Sequence, residues 1–259
     1  MCDVLISIVT YNNATIIKDT IKSILENTVD INYKIVIHDN NSSDNVIDVI
    51  QSFNDDRIKI IDSKVNNGFG YGHNQILQKY DADYYIIYNP DLRLKNNIIK
   101  ELYDYMQQHN EAGMITPKIT YPDGKVQYLC KENPTVFDLF FRRFMPTCIK
   151  KFFLNRSDKY EMRQTGYDKI FQIPYATGCF MFFRGDVLKK INGFDDNIFM
   201  YLEDADITRR ANAVAPCVFY PYNSVEHLWC KGSHKSLYLT WINIKSAIYY
   251  FNKWGWKFW

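Results

Sequence analysis

The sequence predicts an α/β fold, a mostly parallel sheet with helices on both faces. Three observations carry that expectation. Apolar, β-branched runs alternate with segments of helical period four times before residue 110. The chain has 259 residues and is 47% hydrophobic, so it can enclose one large core. Its polar clusters fall where the expected strands end, which is where open α/β sheets place their ligands.

Val4-Leu5-Ile6-Ser7-Ile8-Val9 is a continuous apolar run and reads as a buried strand. Ala14 to Asn27 carries Ile17, Ile21, Ile24 and Leu25 at helical spacing. Tyr33 to His38 is a second buried strand, Val46 to Phe53 a helix, and Arg57 to Ile61 a short third strand. Gly72 to Tyr80 is a helix, Tyr84 to Tyr88 a fourth strand, and Ile98 to Gln108 another helix. After about Gly113 the alternation breaks down. Ile119 to Gln127 reads as a hairpin around Pro122-Asp123-Gly124. Phe137 to Leu154 is aromatic and basic, Lys150 included, and Ile173 to Phe183 returns to strand character. Gly185 to Asn192 is a short helix, Asp204 to Ala213 a longer one, and Val218 to Tyr220 a last short strand. Ser236 to Trp259 is helix-like and aromatic. The expected organisation is one domain over residues 1–235, with halves 1–112 and 113–235, and a C-terminal appendage over 236–259.

A net charge of +2 argues against electrostatic capture of nucleic acid. The six cysteines, Cys2, Cys130, Cys148, Cys179, Cys217 and Cys230, show no CxxC spacing. That pattern fits reduced thiols in a cytosol rather than a disulfide framework or a zinc site. The N-terminus has no basic region and cleavage site of a signal peptide, and no apolar run reaches about 18 residues. A cytoplasmic protein is expected.

The most informative segment runs from Gly193-Phe194-Asp195-Asp196 to Glu203-Asp204-Ala205-Asp206. It sets five carboxylates among Phe199, Met200, Tyr201 and Leu202. Carboxylates are costly to bury unless paired, metal-bound or used, so Glu203 and Asp204 read as acids at the edge of a pocket, one of them a general base. The same acids also suit the first turn of a helix whose far end carries Arg209 and Arg210. Three further clusters, Thr10-Tyr11-Asn12-Asn13, His38 to Asp44, and Asn89-Pro90-Asp91, close the first, second and fourth strands and should converge on one rim. Ser43 or Asp44 suits a helix cap, which leaves Asp39 at the strand edge, an acceptor for a nucleobase N–H. Asn66 to Asn74 contains a GxGxG run, but His73 stands where a dinucleotide fingerprint needs glycine, so that fingerprint is rejected. The loop can still bring backbone N–H groups to a diphosphate, or it is a plain flexible loop. Asp91 can ligate Mg²⁺ or Mn²⁺ bridging phosphates, and His227 matters if the fold returns it to Asp91.

In this order and spacing, these segments resemble family 2 of the inverting glycosyltransferases, and more narrowly its bacterial rhamnosyltransferase-type members. The resemblance runs from Ser7-Ile8-Val9-Thr10-Tyr11-Asn12 through Asp39 to Asp44, Asn66 to Gly70, Asn89 to Asp91 and Thr177 to Met181, and on to Gly193 to Asp196, Glu203 to Asp206 and His227. It implies the GT-A fold, a Rossmann-like mixed sheet flanked by helices. It implies donor-binding roles for Thr10, Tyr11, Asn12, Asp39, Asn67, Gly68, Asn74, Asn89, Asp91 and Gly178, with Thr10 and Asp39 at the base and Tyr11 beside it. Asn89 and Asp91 stand at the DxD-type motif, with Asn in place of the first Asp, and one carboxylate fewer holds the metal. Asp91 and His227 would hold a divalent cation, Mg²⁺ or Mn²⁺. Asp204 matches the catalytic base, with Glu203 beside it. Ala215-Pro216 departs from a glycine common before the final strand.

The implied reaction is one inverting displacement, in which Asp204 takes a proton from the acceptor hydroxyl while the cation and backbone N–H groups stabilise the leaving diphosphate. The expected partners are a nucleotide-sugar donor, dTDP-rhamnose first with UDP-galactose, UDP-glucose or an N-acetylated relative left open, and a glycan or lipid-linked glycan acceptor of bacterial surface polysaccharide synthesis. No nucleic acid is expected, and self-association into a homo-oligomer is left open. The aromatic and basic stretches, with three tryptophans between Trp254 and Trp259, suit peripheral contact with the inner membrane face, packing on the domain itself, or a dimer contact. The rival readings are a sugar nucleotidyltransferase, which would carry a glycine-rich basic loop after the first strand, and a noncatalytic nucleotide- or carbohydrate-binding module.

Overall fold

The computed structural model describes residues 2–146, 148, 151–228 and 237–259. Lys150, Cys230 and the expected 235/236 boundary lie outside the described residues. Strands β1 (Cys2–Thr10), β2 (Tyr33–Asp39), β3 (Ile58–Asp62) and β4 (Ala82–Tyr88) alternate with helices α1 (Ala14–Asn27), α2 (Val46–Gln51) and α3 (Phe69–Lys79). Then come β5 (Leu92–Arg93), α4 (Ile98–Gln108) and β6 (Met114–Thr120). α1 and α4 occupy the residues that the periodicity predicts. Both faces of the sheet are covered, which is why the strands read as continuous apolar runs. Ile6 and Ile8 pack with Ile17, Ile21 and Leu102 on one face, whereas Leu5 and Ile87 pack with Ile76 and Ile207 on the other.

The second half holds β7 (Cys130–Lys131), α5 (Val136–Phe144), α6 (Leu154–Tyr160), β8 (Phe171–Gln172), β9 (Tyr175–Ala176) and β10 (Phe180–Arg184). It ends with α7 (Gly185–Lys190), α8 (Glu203–Asn212), β11 (Cys217–His227) and α9 (Leu237–Trp254). The main sheet has the order β3-β2-β1-β4-β10-β6-β11-β5, with β8 also on β11. It is parallel from β3 to β4, but β10 runs antiparallel to both neighbours, so the sheet is mixed rather than mostly parallel. Because Phe180 pairs with Tyr88, β10 starts where β4 ends. The residues that precede β10 therefore sit at the carboxyl ends of the parallel strands.

Four local expectations change. α3 starts at Phe69 rather than Gly72, because Gly70 and Gly72 allow close packing; a Cβ on either would lie 2.8 Å from Phe194 or Val9 atoms. The Pro122-Asp123-Gly124 turn forms, but the hairpin shrinks to a single bridge between Thr120 and Val126, since β6 pairs instead with β10 and β11. Ile173 to Phe183 is broken at Thr177-Gly178-Cys179. The last strand is far longer than Val218 to Tyr220, its pattern hidden by an irregularity between Tyr220 and Ser224.

The tail packs on the domain. Tyr250 and Phe251 are buried with Tyr175, Leu202 and Ala205, and the Val136 and Phe137 N–H groups donate to Lys257 and Phe258 carbonyls at 2.8 and 3.1 Å. Its first turns still expose Leu237, Tyr238 and Trp241. Among the described residues no helix is long and apolar enough to cross a membrane.

Candidate active site

Thr10 and Asp39 are register partners at the ends of β1 and β2. The buried Asp39 carboxylate accepts the Ser42 N–H at 2.9 Å and the Ser42 hydroxyl. The Asn12 N–H donates to Ser42 Oγ at 2.8 Å, and Asn12 Oδ1 accepts the Ser43 N–H at 2.8 Å. Asp39, Thr10 and Asn12 are thus held by one loop, with Tyr11 exposed beside them. Asn40 extends the network by donating to Gly68 O at 3.1 Å. Gly68 has φ +100°, and a Cβ there would lie 2.0 Å from Phe199 O. The residue has to be glycine, because the loop touches the segment leading into α8. Asn67 beside it is exposed.

Asn74 is the candidate that the structure uses elsewhere. Its amide donates to Phe194 O at 2.9 Å and Asp196 Oδ1 at 2.7 Å and accepts the Phe194 N–H at 2.9 Å. It clasps Gly193 to Asp196 and lines a separate cavity of about 500 Å³ with Asp195, Arg210 and Lys253. None of Asp39, Asp91, Glu203 and Asp204 borders that cavity.

At the end of β4, the Asn89 N–H donates to Cys179 O at 2.9 Å, and the buried Asn89 Oδ1 has no hydrogen-bond partner among the described residues. β11 lies beside β5 with His227 opposite Leu92, so the fold returns His227 to this turn. His227 Nε2 lies 3.3 Å from Asp91 Oδ1. The Gln127 amide donates to His227 O at 3.0 Å, which leaves its Oε1 to accept His227 Nδ1–H at 2.8 Å. That bond fixes the imidazole with Nε2 toward Asp91, the arrangement a metal-ligating histidine needs. Asp91 and His227 could share a divalent cation. Among the described residues no group of three or more His, Cys, Asp or Glu side chains could hold a metal ion.

α8 is entered through Tyr201 and Leu202 with φ of 70° and 66°, two bulky residues in left-handed conformation. Such backbone persists only where the surroundings over-determine it. It delivers Glu203 and Asp204 buried, in the first turn. Asp204 Oδ2 accepts the Gly178 N–H at 3.0 Å; Oδ1 accepts the Tyr175 hydroxyl at 3.1 Å and the Ala205 N–H at 2.9 Å. Glu203 differs. Its Oε2 is buried without a partner among the described residues, and burial, then the Asp204 charge, pushes its carboxyl well above the ordinary 4.5. The Cys179 thiol feels both ends of the site. Burial first, then Asp91 and more weakly Asp204, pushes it up to about 12.

The contacts therefore run without a break from Asp204 through Gly178 and Cys179 to Asn89 and Asp91. A cavity of about 580 Å³ opens beside Glu203 and Asp204, lined also by Lys131, Arg142, Arg143 and Tyr175. Tyr175, Gln127 and Lys131 are residues that sequence reasoning missed. Tyr175 stands two residues before Thr177-Gly178-Cys179, a nearby signal, whereas nothing local marks Gln127 or Lys131.

The sequence matches the family described as Glycosyl transferase family 2 over residues 5–191. It is 25% identical over 216 residues to the rhamnosyltransferase WbbL of Escherichia coli (strain K12), covering 78% of this chain and 76% of that one. It is also 25% identical over 183 residues to the N-acetylglucosaminyl-diphospho-decaprenol L-rhamnosyltransferase of Mycobacterium tuberculosis, covering 66% and 58%. Among solved structures, S. aureus TarS superposes with a TM-score of 0.60 at 14% identity, over 96% of this chain and 72% of that one. The mannosyltransferase PcManGT of Pyrobaculum calidifontis, solved with GDP-Man and Mn²⁺, gives 0.61 at 15%, over 90% and 61%. Both share the GT-A fold with this chain.

Proposed function

The chain belongs to glycosyl transferase family 2, and from that membership we propose that it moves rhamnose from dTDP-rhamnose to a glycan or lipid-linked glycan acceptor, with inversion. The observation that carries the reading is the unbroken set of contacts from Asp204 to Asp91. It puts a candidate base and a candidate metal ligand on either side of one loop. Rhamnose as the donor sugar draws on the two rhamnosyltransferase relatives and on Asn89 in place of the first Asp. Thr10 and Asp39 bind the base, and Asn89 faces the ribose or diphosphate. A Mg²⁺ or Mn²⁺ ion held by Asp91 and His227 would neutralise charge on the departing diphosphate.

Asp204 takes the proton of the attacking hydroxyl, on the face opposite the leaving group. The Tyr175 hydroxyl and the Gly178 N–H hold its carboxylate in one orientation, so its reorganisation is already complete before attack. Glu203, whose carboxyl is pushed upward by burial and then by the Asp204 charge, holds its proton more tightly than an exposed glutamate and so favours a single negative charge on the pair. Exposed Phe144, Leu237, Tyr238 and Trp241 suit contact with the inner face of the membrane, where a lipid-linked acceptor would be met.

A thermal-shift panel of nucleotide sugars with Mn²⁺ tests the donor, since the true ligand raises stability by mass action. The largest shift should come from dTDP-rhamnose, and NMR of the product should show the inverted linkage. Stronger stabilisation and turnover with UDP-GlcNAc or GDP-Man would overturn the donor assignment. Asp204→Asn should keep the donor-induced shift and lose transfer by on the order of 10²–10⁴-fold. Retained turnover would remove Asp204 from the mechanism.

A further inference from the structure

The cavity beside Glu203 and Asp204 is chemically two-sided. Its far wall carries Lys131, Arg142 and Arg143. Arg142 is paired with Glu161 at 2.6 Å, and Glu161 is shared with Arg163. Lys131 has no carboxylate partner among the described residues; its ammonium rests on the Tyr175 ring, 4.9 Å from the centroid. Burial, then the neighbouring Arg142, presses that ammonium below the usual lysine range, although Asp204 and Glu161 pull the other way. A half-buried lysine beside arginines, with no carboxylate paired to it among the described residues, is a site that can take an anion.

The spacing and the rim say which anion. The Tyr175 ring that carries Lys131 donates its hydroxyl to Asp204, so the cation and the candidate base lie one tyrosine apart. One sugar ring can span that length, presenting a hydroxyl to Asp204 and a phosphate ester to Lys131. On the glycosyltransferase reading, the donor's diphosphate sits at Asp91 and His227 instead. The rim is apolar. Leu154 lines the cavity and is exposed, and Phe140 and Phe144 flank the arginines on α5. Arg143 donates to Thr240 Oγ1 at 2.5 Å, which brings the exposed Trp241 turn of α9 alongside.

We propose that this cavity is the acceptor subsite, in which Lys131, Arg142 and Arg143 bind the phosphate or diphosphate that links the acceptor sugar to a lipid whose chain leaves over Phe144, Leu154 and Trp241. The inference rests on the glycosyltransferase reading above and adds the anionic character and membrane origin of its acceptor.

The test compares three probes, N-acetylglucosamine diphosphate on a farnesyl chain, the same sugar diphosphate without a chain, and the neutral octyl glycoside of that sugar. Binding is measured calorimetrically in EDTA, so that a metal-held diphosphate at Asp91 does not contribute, and KM is measured separately with donor and metal. The farnesyl diphosphate should bind most tightly. Lys131→Met should weaken it by roughly tenfold or more, collapse its preference over the octyl glycoside, and leave the donor-induced thermal shift intact. Arg143→Gln should act in the same direction, which covers the case in which Lys131→Met fails to fold. An equal effect on charged and neutral probes, or none on either, would overturn the phosphate assignment. Equal affinity for the chainless and farnesyl diphosphates would overturn the lipid assignment. If the farnesyl probe binds through Lys131 but no rhamnosyl transfer occurs, the subsite stands and the donor reading fails.

Discussion

Glu203 and Asp204 are neighbours in sequence and opposites in environment. Among the described residues Asp204 accepts three hydrogen bonds, whereas Glu203 Oε2 has no partner. A raised carboxyl in the fold means that the folded state holds its proton longer than the unfolded state. Its contribution to stability is full below the ordinary 4.5 and is lost as pH rises through the folded value. Glu203→Gln, which never ionises, should therefore melt higher than wild type at pH 8, by about 2–4 °C per kcal/mol recovered. The gap should close toward pH 4.5 in melts followed by circular dichroism. A gap that does not change with pH would contradict the burial argument. The residue types of this pair were legible from the chain, since acids among aromatics invite a buried reading. Which acid is satisfied and which is orphaned was not, because two of the three donors to Asp204 come from Gly178 and Tyr175, more than twenty residues away.

At the scale of elements, α8 is gripped by α9. Asp206 is wholly buried in α8, and its carboxylate accepts Trp254 Nε1 at 2.8 Å, Lys253 Nζ at 2.8 Å and Arg210 Nε at 2.7 Å. Lys253 also reaches Asp195 at 2.6 Å, which ties the Gly193 to Asp196 segment into the same grip. The tail thus helps to set the helix that carries the candidate base. Trp254→Phe keeps most of the apolar contact and removes one donor to a buried carboxylate. It should cost about 1–3 kcal/mol in urea unfolding and loosen the start of α8 in hydrogen exchange. Unchanged stability would mean that Arg210 and Lys253 satisfy Asp206 alone. The elements themselves were largely readable. Periodicity sets α1 and α4 because each buries one stripe, while β11 escaped because Pro221 and an irregular register interrupt its pattern.

At the scale of the whole molecule, acid should be the weak direction. His73 is fully buried behind β1, with Ser7 Oγ 2.7 Å from its Nδ1. Burial, then the adjacent His38, lowers it from 6.5 to about 3. His38 is lowered too, chiefly by burial. The unfolded chain then binds protons that the fold refuses, so stability should fall as pH drops from about 6.5 toward 3. Urea midpoints measured from pH 7 to 4 should decline, and a His73→Gln variant that folds should decline less steeply. Equal slopes for wild type and His73→Gln would show that the pair is solvated, whatever Glu203 adds to both profiles.

The sequence by itself determined the alternation of strands and helices, the apolar runs that the sheet buries, and the family, because these depend on local period and on short ordered segments. Only the tertiary structure decided that β10 runs against β4, that Gly178 bridges Asp204 to the Asn89 turn, that His227 returns to Asp91, and that Asn74 serves a clasp. These are contacts between residues far apart in the chain. They follow from how packed layers bring strand ends together, and no local pattern encodes that.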